Sequence, residues 1–321
     1  MQGKIAIEEH FAIPDTTDRS LRYQTEYWTS LPGKLLDVHD RRLAEMDQAG
    51  IEIEILSLNS NGVQSVLDPS KAAELARKAN DALAEIIAKR PDRFAGFAAL
   101  PMQDPQAAAI EFERCVRDLK FKGALVNSYS QVGSPDKIVY YDLPQYRPFW
   151  AVAERLGVPF YLHPRDPLPS RWQAYEGHPW LIASPWGFAE ETAMHALRLM
   201  GSGLFDDYPK LQIVLGHLGE RIPYDLWRLD HRLRKVPGRP AKREMGEYFR
   251  ENFYLTTSGN FSTTSLIQAI LTVGADRLLF AVDYPFEDHA QGAAWFDAAD
   301  ITEADRRKIG RDNAMTLFGL G

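Results

Sequence analysis

VPFYLH, residues 158–163, is an unbroken apolar run that stops at a histidine. A strand with one wet face alternates polar and apolar residues, whereas a run apolar throughout fits a parallel strand covered on both faces. Working outward, further short β-rich runs, most of them continuously apolar, occur at 4–8, 51–56, 94–100, 124–128, 211–217, 253–258 and 278–283. Longer helical patterns separate them. The clearest is 70–89, where Leu75, Ala79, Leu83 and Ile87 recur at steps of four and make an amphipathic stripe. Further helices are expected at 105–119, 148–156, 190–200, 222–232, 265–273 and 302–317. Eight strands alternating with helices predict an α/β protein of the (β/α)8 TIM-barrel type. The rival, an open doubly wound sheet, would be favoured by a glycine-rich dinucleotide turn after the first strand, and none is present. Irregular segments at 12–40, an insertion after the first strand, and at 164–189 interrupt the pattern. With no repeat or linker, one domain over 1–321 is expected.

Composition narrows the function classes. The chain has 321 residues, 45% apolar and 25% charged, with a net charge of −7 and no basic block. Nucleic acid and anionic membrane are therefore poor partners. No apolar stretch of about 18 residues could span a bilayer. Cys115 is the sole cysteine, so an intramolecular disulfide is impossible and a reducing compartment suits the chain. The first residues lack the basic cluster and apolar run of a signal peptide, and the cytoplasm is the expected location.

Metal-capable side chains fall where strands end. Glu8 and His10 close the first run, His163 the fifth, His217 the sixth and Asp283 the eighth. Residues two apart in a strand point the same way, and a barrel gathers its strand ends at the face where active sites form. Singly, each histidine could be a hydrogen-bonded structural residue, and Asp283 a helix cap. Jointly, clustered imidazoles and carboxylates are the constellation of a bound cation. Mixed nitrogen and oxygen donors suit zinc or manganese. Glu220, three residues after His217, is placed either to orient that imidazole or to sit in the first turn of the next helix. His39, His178, His195, His231 and His289 lack a strand-end position, and His195, inside a helical pattern, is expected to be structural.

Longer stretches then carry a resemblance. They include GKIAIEEHF at 3–11, DRFAGFAALPMQDP at 92–105, GALVN at 123–127 and YYDLPQYRPFW at 140–150. VPFYLHPRDPLP at 158–169, LGHLGERIPYDLWRLDHR at 215–232, TTSGNFSTTSL at 256–266, LLFAVDYPFE at 278–287 and KIGRDNA at 308–314 continue it. Over nearly its whole length the chain resembles the non-oxidative hydroxybenzoate decarboxylases of the amidohydrolase superfamily, above all those acting on 2,6-dihydroxybenzoate (γ-resorcylate) and 2,3-dihydroxybenzoate. Where the wider superfamily has H-x-H, this chain has Glu8-Glu9-His10, as in the decarboxylase branch. The resemblance implies one divalent metal, zinc or manganese, held by Glu8, His10, His163 and Asp283 with His217 nearby. It further implies a homo-oligomer, a tetramer, acting on a small aromatic acid. Asn127, Arg228, Trp186, Phe188, Phe286 and Tyr23 are the implied substrate contacts; for the aromatics the competing role is core packing, and for Arg228 a surface ion pair. ASPWGF at 183–188 resembles the resorcylate enzymes, whereas TTSGNFSTT and VDYPFE also resemble the 2,3-dihydroxybenzoate and salicylate enzymes.

Direct loss of carbon dioxide from an aromatic ring would leave an aryl carbanion. Protonating the carboxyl-bearing carbon first avoids it, and an ortho hydroxyl makes that carbon basic. The expected machinery is a cation for the carboxylate, Asp283 as proton donor, and His217 with Glu220 as relay. A carboxylate beside a cation is a poor acid unless it first receives the substrate's own proton. The alternative activity is metal-dependent hydrolysis of a lactone or amide, and a barrel without chemistry is the third possibility.

Overall fold

The computed structural model describes residues 1–17 and 24–320. Its wall is made of parallel strands β1 (Lys4–Phe11), β2 (Ile51–Leu58), β3 (Phe94–Gly96), β4 (Ala124–Asn127), β5 (Phe160–His163), β6 (Ile213–Leu215), β7 (Phe253–Thr256) and β8 (Leu278–Leu279). Ladders join β1–β2–β3 and β4 through β8 in order. A single parallel pairing of Ala98 with Ala124 connects the two sheets. The ring closes without a ladder: the His10 N–H donates to the Tyr284 carbonyl at 2.7 Å. The Glu9 carboxylate also accepts the N–H groups of Val282 at 2.8 Å and Tyr284 at 2.9 Å. This is the (β/α)8 barrel that the alternating pattern predicts.

The strands are nearly all buried because helices cover one face and the barrel filling the other. Ile5, Ile7, Ile55, Phe97, Leu125, Tyr161, Val214 and Leu279 pack as one interior cluster, plugged by Ala314 and Phe318 of the last helix. One irregularity in β1 matters for the site. Ala6 pairs with Glu54 but Glu9 with Leu56, so β1 carries one extra residue between them. Such a bulge switches the face that later side chains use. Ile5 and Ile7 point inward before it; Glu8 and His10 do so after it, and Glu9 turns to the helical layer.

Several elements differ from the expectation. The 12–40 insertion contains helix Glu26–Leu36, whose signal is blunted by Pro32 and Gly33 within it. Helices Arg41–Ala49, Met245–Asn252 and His289–Ala298 and a hairpin of Ser130–Val132 with Ser134–Val139 were not predicted. The expected helix at 302–317 is three pieces: Glu303–Arg307, a π turn Lys308–Asp312, and Asn313–Phe318. Within that π turn the Ile309 carbonyl accepts the Phe280 N–H at 2.9 Å, a bond to the wall rather than along the helix. The run at 278–283 keeps only two ladder residues. Among the described residues, no helix is long and apolar enough to cross a membrane.

Candidate functional site

Four strand ends bring Glu8, His10, His163 and Asp283 together, with one potential ligand atom of each lying within 4.8 Å of all the others. His10 Nε2 is 3.1 Å from Asp283 Oδ1, and His163 Nε2 is 3.2 Å from Glu8 Oε1. The far side of each group is tethered. His163 Nδ1 lies 2.8 Å from the Pro164 carbonyl, which can only accept, so Nδ1 carries the proton and Nε2 keeps its lone pair. His10 Nδ1 meets Ser57 Oγ at 3.1 Å. Glu8 Oε2 accepts from the Tyr161 hydroxyl and from Thr256 Oγ1.

The inward atoms are left over. Glu8 Oε1, His10 Nε2 and Asp283 Oδ1 are buried with no hydrogen-bond partner. Orphaned buried polar atoms are costly, and several of them converging on one point need an occupant that satisfies all at once. Two imidazoles and two carboxylates fit a single divalent cation of the zinc or manganese kind. Burial would raise the Glu8 carboxyl, yet the imidazoles of His163, His217 and His10 around it hold it below the usual carboxylate range.

His217 stands beside this group rather than in it. Its Nε2 is 3.8 Å from Asp283 Oδ2, and its Nδ1 is 2.6 Å from Glu220 Oε1. The backbone makes that second contact possible, because φ is positive at His217, Leu218, Gly219, Glu220 and Arg221 in succession. The chain coils back on itself before the next helix starts at Ile222, so Glu220 orients His217 and is not a first-turn residue. Burial disfavours a charged imidazole, but Glu220, Asp283 and Glu8 together hold the His217 proton well above the ordinary histidine range.

A cavity of about 860 Å³ opens onto the group, bounded by Trp186, Phe188, His217, Glu220 and Asp283 among others. Phe286 does not border this cavity; its ring lies 5.6 Å from that of His10. Asn127 pairs in register with His163 across β4 and β5, buried, with its Oδ1 unpartnered. Arg228 is elsewhere: it borders an adjoining cavity of about 480 Å³ between helices Gly187–Gly201 and Ile222–Leu233. Tyr23 lies outside the described residues. His195 is buried in its helix, its Nδ1 3.3 Å from Ser128 Oγ and its Nε2 accepting the Tyr141 N–H, a structural role as expected.

The sequence reading missed some contributors. The Arg221 guanidinium lies 3.5 Å over the Trp186 ring and steadies it at the cavity mouth. Asn260 donates to the His217 carbonyl at 3.2 Å. Glu287 lines the cavity, with burial and then the Asp283 charge pushing its carboxyl up to about 7. Gly216 leaves the space that the Glu8 carboxylate fills. All four sit inside or beside the quoted stretches, but nothing in residue type alone separated them from ordinary loop positions.

A family model described as amidohydrolase matches residues 33–320. The chain is 59% identical over 324 residues to a gamma-resorcylate decarboxylase of Rhizobium sp., covering 100% of this chain and 99% of that protein. A crystal structure of 2,6-dihydroxybenzoate decarboxylase complexed with 2,6-dihydroxybenzoate superposes with a TM-score of 0.98 at 59% identity, covering 100% of both chains. A dihydroxybenzoic acid decarboxylase from Polaromonas sp. JS666, with bound manganese and the inhibitor 2-nitroresorcinol, superposes at 0.97 and 56% identity over 100% of this chain and 98% of that one. The chain belongs to the amidohydrolase family.

Proposed function

We propose that this protein is a metal-dependent carboxy-lyase that reversibly decarboxylates an ortho-hydroxylated benzoate, with 2,6-dihydroxybenzoate going to resorcinol. The observation that carries the reading is the convergence of Glu8 Oε1, His10 Nε2 and Asp283 Oδ1, buried and unpartnered, where Asp283 meets a cavity bordered by Trp186 and Phe188. Whole-length identity to decarboxylases of that substrate supports it. Glu8, His10, His163 and Asp283 hold one manganese or zinc ion. When bound, that ion neutralises and orients the substrate's carboxylate and ortho oxygen.

The protein's own groups do the rest. Trp186 and Phe188 form an apolar slot for the ring, with Phe286 beside His10, and Asn127 meets a polar substituent from the β4 side. Arg228 borders only the adjoining cavity, which shares Glu220 and Arg221 with the main one, and is left without a contact to the ring. A phenolic or carboxylic proton of the substrate passes to Asp283 and from there to the carboxyl-bearing ring carbon. The bond to the carboxylate then breaks, its electron pair returns to the ring, and carbon dioxide leaves. His217, fixed by Glu220, stands within reach to relay the proton. The enzyme works as a homo-oligomer, a tetramer, in the cytoplasm; exposed Tyr224 and Trp227 on helix Ile222–Leu233 are suited to contacts between subunits.

The test is to load purified protein with Mn(II) or Zn(II) and follow carbon dioxide release from 2,6-dihydroxybenzoate, 2,3-dihydroxybenzoate and salicylate. The first should turn over fastest, and in heavy water one deuterium should enter at the vacated carbon. Absence of release from all three, or product without that deuterium, overturns the reading.

A further inference from the structure

Glu9 sits between two proposed metal ligands yet faces away from them. It is fully buried against the helical layer, where both of its oxygens are engaged by backbone amides: Oε1 by Val282 and Oε2 by Tyr284. Those two residues flank Asp283. The backbone at Asp283 has φ +81°, a conformation that L residues adopt reluctantly and keep only when their surroundings impose it.

The surroundings here are unusual for a barrel strand. Pairing of β8 with β7 stops at Leu279. Beyond it side chains supplement the backbone bonds from Phe280 N–H to the Ile309 carbonyl and from Gly259 N–H to the Val282 carbonyl: the Thr257 hydroxyl donates to the Ala281 carbonyl and accepts the Ala281 N–H, and Glu9 takes the next two amides that point towards β1. The His10 N–H to the Tyr284 carbonyl completes the joint.

The carboxylate making these bonds is itself braced. His289 Nε2 lies 3.7 Å from Glu9 and 2.8 Å from Glu54 Oε1. Arg42 contacts Glu54 Oε2 at 3.3 Å. The Tyr284 ring stacks on His289, with centroids 4.2 Å apart and planes 3° from parallel, and the Arg42 guanidinium caps it at 4.6 Å. Glu9, Glu54 and His289 have the composition of a second cation site. The Arg42 charge and the two amides already spent on Glu9 make them a brace instead.

We infer that Glu9 is a positioning residue: by gripping the amides on both sides of Asp283 it fixes the backbone that aims the Asp283 carboxylate at His10 and His217. The inference rests on reading Asp283 as a metal ligand. Glu9 stands on β1 and its bracing partners on β2, the helix Arg41–Ala49 and the helix His289–Ala298, so the brace ties the strand bearing Glu8 and His10 to the turn bearing Asp283. One element cannot move without the other.

The experiment uses Glu9→Gln and Glu9→Asp in the full-length protein. Gln turns one acceptor into a donor facing an amide; Asp keeps the charge but is too short to span both. In metal-free protein, exchange of the Val282 and Tyr284 amides should quicken at least about tenfold. Mn(II) affinity should fall about 10- to 100-fold, the range for lost support of a ligand. The value of kcat should fall in step while KM for 2,6-dihydroxybenzoate stays within about twofold. In an Asp283→Asn background Glu9→Gln should cost no further Mn(II) affinity, because its effect runs through that carboxylate. A purely structural Glu9 would instead lower the melting temperature and leave Mn(II) affinity of the folded protein unchanged, which overturns the inference. Should Glu9→Gln not fold, a Glu9→Asp protein with parental exchange and affinity does the same. Failure of the parent protein to bind Mn(II) strikes the metal reading, and is told apart because amide exchange is measured without metal.

Discussion

In the proposed mechanism Asp283 carries two demands that conflict in isolation: a carboxylate that holds a cation is ionised, and a proton donor is not. The substrate's own proton resolves the conflict, and Asp283→Asn removes both abilities while keeping the shape. We expect turnover to fall by about 10²–10⁴-fold or more with circular dichroism unchanged; full activity in that variant would take Asp283 out of the chemistry. His195 makes a different demand at the same scale. Burial, helped by the nearby Arg198 charge, pushes it down to about 3. Its Nε2 accepts the Tyr141 N–H, so a second proton would set two donors against each other. An unfolded histidine titrates near 6.5, so below that pH the unfolded chain binds a proton the folded chain refuses. Stability from this group is therefore complete above about pH 6.5 and drains away at roughly 1 kcal/mol per pH unit as pH falls towards 3. His195→Gln retains an acceptor without titrating. Its urea midpoint relative to the parent should improve steadily from pH 7 to pH 4, and parallel curves would refute the argument.

At the level of elements, the ends of strands rather than their centres decide the site. Gly216 follows β6, and its backbone does not need glycine; the space does. A Cβ there would lie 3.0 Å from Glu8 Oε2, 3.1 Å from Ser258 Oγ and 3.2 Å from Glu8 Oε1. Gly216→Ala should leave the barrel folded but displace the Glu8 carboxylate, weakening Mn(II) binding about tenfold by isothermal titration, within the range for disturbed ligand support. Unchanged affinity would mean that Glu8 yields freely or is not a ligand. The turn from His217 to Arg221 works the opposite way, since there the backbone itself is specialised. Five successive residues with positive φ fold Glu220 back onto His217, and only Gly219 among them is a glycine. A sequence reader expecting glycine at such positions would not have seen the turn coming.

For the molecule as a whole, the proposed ion links parts of the chain nearly as distant as its length allows: Glu8 and His10 near one end, His163 midway, Asp283 close to the other. Occupancy of such a site favours the folded state by mass action, about 2.7 kcal/mol when the free ion is at 100 times its Kd. Treatment with EDTA should lower the thermal midpoint by several degrees, and Mn(II) or Zn(II) should restore it. A midpoint indifferent to both ions would contradict a structural stake for the metal. The Asp283→Asn protein should respond less, because it lacks one anionic donor.

The fold was legible because burial on both faces writes itself into composition: VPFYLH and most of its counterparts are largely apolar, as covered parallel strands are. The four residues that converge could be picked out as candidates because several ionisable side chains, each with an ordinary structural use when taken singly, end such runs together. The inward face of β1 was not. Strict alternation from Ile5 and Ile7 would have sent Glu9 into the barrel; the single extra residue between Ala6 and Glu9 sends Glu8 and His10 instead. Nor could spacing reveal that Glu9 joins the first strand to the last, since 273 residues separate it from Val282. Local physics sets what each segment can form, but which polar atoms meet, and which are left facing a shared point, depends on contacts between segments that only the closed barrel supplies.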